Sequence, residues 1–147
     1  MTDLERVRQW LGTYPGTAAA LEFKVDYFDK APDSHSIAPS GLVEVSRSED
    51  ILGDVTVENQ YNFALYFVMA KDPGDDAGAK LNADLLLDLQ QWVQEQSVRR
   101  LVPVFGDEPD RETIKAQNGS IIEASEEGVA LYMVLLSVNF IKHYEVI

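Results

Sequence analysis

Between Asp54 and Ala70 the chain reads DVTVENQYNFALYFVMA, with Val55, Val57, Tyr61, Phe63, Leu65, Phe67 and Met69 all on odd positions. A period of two predicts one long strand with a buried face. From Phe63 onward the even positions are also largely apolar, which places that end centrally in a sheet or against another surface. From Leu81 the period changes to that of a helix. Leu81, Leu85, Leu86, Leu89, Trp92, Val93 and Gln96 form one stripe, and Asp84, Asp88, Gln91 and Glu95 lie off it.

The flanking segments are shorter. Leu4, Val7, Trp10 and Leu11 recur at helical spacing, Thr2 and Glu5 make a capping box, and Gly12 stops the helix before the turn Tyr14-Pro15-Gly16. EFKVDYF, residues 22–28, puts Phe23, Val25 and Tyr27 on one face of a strand. Residues 29–41 read as a polar loop, because Pro32 and Pro39 oppose regular structure, and residues 42–45 as a weaker strand. After the loop LVPVFGDEPDRE, residues 113–125 and 129–143 read as an antiparallel pair around Glu126-Glu127-Gly128. Asn118-Gly119 is a hairpin dipeptide, but a turn there would leave the next strand very short, so a glycine bulge or kink is expected.

The order is helix, three strands, helix, two strands. Adjacent strands without alternating helices predict an α+β fold: a largely antiparallel sheet of about four to five strands, with two helices packed on one face. A chain of 147 residues fits one domain spanning residues 1–147. The start MTDLERVRQW lacks the apolar stretch of a signal peptide. The most hydrophobic run, Val129 to Ile141, is too short and too polar to span a bilayer.

Charge narrows the partners. The formal net charge is −13, and Arg99-Arg100 is the only adjacent pair of bases. A phosphate-binding surface needs clustered cations, so direct binding to nucleic acid or an anionic membrane is disfavoured. The absence of cysteine excludes disulfides, thiolate catalysis and cysteine-ligated metals.

Candidate chemistry is sparse. DSHS, residues 33–36, holds the side-chain types of a hydrolytic triad. Sequence adjacency does not supply the geometry of a triad, however, and no G-x-S-x-G elbow is present. The expectation is a surface loop, in which replacing Ser34, His35 and Ser36 by Ala leaves folding intact. His35 and His143 have no metal-ligand spacing, and Asp72, Asp75 and Asp76 do not match a calcium loop. Asp75 or Asp76 is instead expected to cap the helix that follows. No nucleotide-binding glycine motif occurs. The residues therefore predict no catalytic, cofactor or metal site. They leave a candidate interaction surface of Asp72, Asp75, Asp76, Asp107, Glu108, Tyr61 and Tyr66, the tyrosines because aromatics on both faces of a small sheet suggest a neighbouring subunit.

The succession VRQWL, FKVDYF, SIAP, YNFALYFV, NADLLLDLQQWVQEQSVRRLVPVFGD and IKAQNGSIIEASEEGVALYMVLLSVNF covers nearly the whole chain. In that order it resembles the small minor capsid proteins of tailed phages and prophages of Gram-positive bacteria, in the tail-terminator and head–tail joining class. The resemblance implies a non-enzymatic virion subunit without cofactor, found in the virion and, during assembly, in the host cytoplasm. It also implies a homo-oligomeric ring, hexameric in tail terminators, contacting tail-tube and head-connector proteins. An acidic lumen in such a ring would let DNA slide by like-charge repulsion. It implies no catalytic role for His35. Alternatives are a head-completion protein, and a small enzyme or ligand-binding domain whose site is assembled from scattered polar residues.

Overall fold

A computed structural model describes residues 1–17, 21–26, 33–70, 74, 76–124 and 128–146. The elements are α1 (Asp3–Leu11), β1 (Lys24–Val25), β2 (Ser34–Glu49), β3 (Val55–Ala70), α2 (Asp76–Val98), β4 (Thr113–Ala124) and β5 (Val129–Tyr144), with a 3-10 turn at Pro109–Arg111. The strands form one sheet in the order β1-β2-β3-β5-β4. Only β1, parallel to β2, departs from antiparallel pairing. The protein is α+β, with both helices on one face of the sheet.

The period of two in β3 sets that face. Phe63, Leu65, Phe67 and Met69 join Tyr132, Val134, Leu136, Val138 and Phe140 of β5 in one core cluster, which receives Val7, Trp10 and Leu11 from α1 and Leu86, Leu89 and Val93 from α2. The register Phe63↔Leu136, Leu65↔Val134 and Phe67↔Tyr132 makes these cross-strand pairs. Each fully buried aliphatic side chain here stabilises the fold by about 1.5–3 kcal/mol. The helices meet through Trp10 and Trp92, stacked at 5.1 Å, and Tyr14 packs edge-on to Trp92 at 5.4 Å. The Tyr14 hydroxyl donates to Asp88 at 2.5 Å, and burial together with that carboxylate raises its pKa.

Four local expectations change. Residues 34–41 belong to β2: Pro39 sits at a bulge, its register broken between Pro39 and Gly41, where β2 is an edge strand and tolerates a missing N–H. The strand expected over residues 22–28 shrinks to Lys24–Val25, since Asp26 takes a positive φ of 49° and the chain turns away; Val25 is exposed and Tyr27 lies outside the described residues. Leu81 is 71% exposed, because the inward line of α2 runs through Asn82, Leu86, Leu89 and Val93, and Leu81 lies beside it. Thr2 caps α1 by accepting from the Glu5 N–H at 3.3 Å, but the Glu5 carboxylate pairs with Arg8, so the box closes on one side only.

The kink at Asn118-Gly119 is present. The β4–β5 register shifts between Gln117 and Ser120, and Asn118 adopts φ 58°. The other face of the sheet is apolar around Ala64 and Val68, both buried, as the even positions of β3 anticipated for a central strand. No helix among the described residues is long and apolar enough to cross a membrane.

Candidate functional site

Three of the predicted surface residues meet at one corner of the sheet. The segment from Leu101 to Glu112 folds back over the ends of β3 and β5. Phe105 inserts there against Tyr61 and Phe140, with ring centroids 6.0 and 6.2 Å away, and Tyr61 lies 4.8 Å from Phe140. The Tyr61 hydroxyl donates to Asp3 of α1 at 2.7 Å. Burial first, then the Asp3 carboxylate, pushes the Tyr61 pKa up to about 12.

The next residues are fastened by backbone. Gly106 passes so close to β5 that a Cβ there would stand 2.3 Å from the Ile141 carbonyl oxygen. The Asp107 N–H donates to that oxygen at 2.7 Å, and the Asp107 carboxylate accepts from the His143 N–H at 2.8 Å. Glu108 pairs with His143 Nε2 at 2.9 Å, and Thr56 Oγ1 lies 3.0 Å from His143 Nδ1. Beneath them Glu112, only 7% exposed, accepts from the backbone N–H groups of Phe105 at 2.7 Å and Gly106 at 3.4 Å. Burial raises its pKa against the opposing pull of those two amides.

The other predicted residues are elsewhere. Tyr66 pairs with Met133 and Ser36 on the face away from the helices. Asp76 opens α2 beyond the far end of β3, and Asp72 and Asp75 lie outside the described residues, as does the expected cap from Asp75. Sequence reasoning did not single out Asp3, Gly106 and Glu112, and it weighed His143 only as a metal ligand. The usable signal was a carboxylate at Glu112, between a 3-10 turn and a strand, with apolar neighbours in the folded-back segment.

Of DSHS, Asp33 lies in a turn with φ 65° and the other three open β2, where alternation separates them. His35 pairs with Phe67 on the helix side and packs on Phe23 and Phe67 at 5.6 and 5.4 Å, while Ser34 and Ser36 point to the opposite face. Burial lowers the His35 pKa, with Asp33 opposing. Because Ser36 is buried and His35 fills a gap between rings, the triple alanine substitution removes core packing, contrary to the expectation of an inert loop.

Two further features lie on opposite lateral sides of the sheet. The β2–β3 hairpin ends in a turn braced by Asp50, whose Oδ1 accepts from Leu52 N–H at 2.8 Å and Asp54 N–H at 3.0 Å. This turn holds Ile51 and Leu52, 101% and 78% exposed, out in solvent. On the other side a cleft of about 620 Å³ runs between α2 and β4. Leu87, Val98, Ile114 and Ala116 give it an apolar lining, among the amides of Gln90, Gln91 and Gln94 and the Lys115 amine. Among the described residues, no group of three or more His, Asp and Glu is placed to hold a metal ion. Family models contain no match to this chain, and no curated protein matches it.

Proposed function

We propose that the chain is a structural subunit working by self-association in phage head–tail assembly, in the manner of a tail terminator. The observation that supports this best is the distribution of exposed apolar groups. Leu42, Val43, Val45, Ile51 and Leu52 lie along one lateral edge, and Leu87, Val98, Ile121 and Ile122 lie on the other. Separate apolar patches on opposite sides of one subunit suit head-to-tail contacts, which close into rings when the rotation permits. The carboxylates of the folded-back corner bind backbone, tyrosine and imidazole, a fastening role.

A second reading, a ligand-binding domain, takes support from the cleft, whose volume lies in the range of ligand sites, about 300–1,000 Å³. Its lining among the described residues includes no carboxylate or imidazole for acid–base work. Negative-stain electron microscopy of the purified protein separates the two. Rings of identical subunits support assembly, and a uniform monomer that captures small molecules in the cleft supports the rival. Within the assembly reading, co-purification with tail-tube protein favours a terminator, and with head-connector protein alone a head-completion role.

A further inference from the structure

We infer that the β2–β3 hairpin tip of one copy seats its Ile51 and Leu52 in the α2–β4 cleft of the next. The inference rests on the self-association reading and supplies its two surfaces. The tip is a preorganised anchor: the Asp50 brackets and Gly53, at φ 88°, fix the turn, so little ordering entropy is lost on docking. An Ile and a Leu standing free on a fixed turn are the kind of apolar anchors that fill a partner's pocket.

Charge selects the occupant. Glu49, Asp50 and Asp54 flank Ile51 and Leu52 along the turn. Two tips would therefore repel each other, which disfavours a two-fold contact between hairpins. The cleft is lined by Lys115 and neutral amides, without a carboxylate among the described residues, on a chain of net charge −13. An acidic, apolar tip fits that cleft better than the rest of this surface.

Backbone chemistry argues against an added strand there. β4 is the edge of the sheet, but α2 already screens it: Ile114 N–H donates to Ser97 Oγ at 3.1 Å, and Gln90 Nε2 donates to the Ala116 carbonyl at 3.1 Å. On β2, bulges at Pro39/Gly41 and Glu44/Ser46 break the free edge. Side chains in a cleft, not a continuous ladder, are the contact this surface can make. Because tip and cleft are different surfaces, the contact is heterologous and propagates.

The test uses complementary defects. Ile51→Ser with Leu52→Ser removes the anchors while keeping Asp50 and Gly53, and Leu87→Glu puts a carboxylate into the cleft. Each variant alone is expected to lose every species above the monomer in light scattering, with thermal unfolding like the wild type. A mixture of the two retains one intact tip and one intact cleft, so it should give a heterodimer and nothing larger. A wild type that is itself monomeric would overturn both the self-association reading and this contact. A wild-type oligomer that survives either variant, or a mixture that stays monomeric, would overturn the contact alone. If a variant unfolds early, the cysteine-free chain allows a direct check by oxidising single-cysteine proteins Leu52→Cys and Val98→Cys. A disulfide formed only in their mixture supports tip-in-cleft docking, and one formed by Leu52→Cys alone overturns it.

Discussion

Glu112 offers the sharpest test of how the folded-back corner is held. Replacing it by Ala leaves the buried N–H of Phe105 without its 2.7 Å acceptor. An orphaned buried donor costs about 1–3 kcal/mol, and that is the expected destabilisation. Glu112→Gln keeps one acceptor for Phe105 and loses the longer 3.4 Å bond from Gly106, so at neutral pH it should cost about 1 kcal/mol or less. The pH dependence carries the sign. Burial holds the folded pKa above the ordinary 4.5, so between 4.5 and the folded value the native state keeps a proton that the unfolded chain has released. The stability this proton confers is fully present below 4.5 and is lost as pH rises through the folded pKa. The wild-type advantage over Glu112→Gln should therefore grow on acidification, with a slope no steeper than about 1.4 kcal/mol per pH unit. Urea unfolding followed by the fluorescence of the stacked Trp10–Trp92 pair measures it. An advantage that grows toward alkaline pH instead would refute the reasoning, because the two backbone amides would then outweigh burial.

Gly106→Ala should lower stability by about 1–3 kcal/mol, seen as a reduced Tm, because its Cβ meets the Ile141 carbonyl at 2.3 Å; an unchanged Tm would mean that the segment shifts freely. Tyr14→Phe should cost about 1 kcal/mol through the lost bond to Asp88, and nothing further in an Asp88→Ala background, a double-mutant cycle that additive costs would contradict. His35 has the opposite sign to Glu112: its folded pKa is depressed below 6.5, so the stability it gives is present above 6.5 and is lost as pH falls through the folded value. His35→Phe should flatten that acid-side loss in denaturation curves, and an unaltered slope would place the titration elsewhere.

Legibility followed side-chain patterning. The long β3, the helix carrying the stripe from Leu81 to Gln96, the β4–β5 pair and the Asn118 kink all announced themselves, because period, length and turn chemistry agreed there. β2 did not, since Pro39, Gly41 and a serine-rich stretch have low strand propensity, and pairing along the whole of β3 overrides it. Of the candidate surface, Tyr61, Asp107 and Glu108 converge because the folded-back segment is anchored on β5, a long-range contact that no local spacing encodes. The hairpin tip was unreadable for a related reason. Ile51 and Leu52 resemble core residues in sequence, and only the position of the turn shows them in water.

The central claim is that this subunit works by associating with itself. Mass in solution at high protein concentration, by light scattering coupled to size-exclusion chromatography, tests it most directly. The account predicts a discrete multiple of the 16.4 kDa chain mass. A single species at 16.4 kDa across the whole concentration range would contradict it.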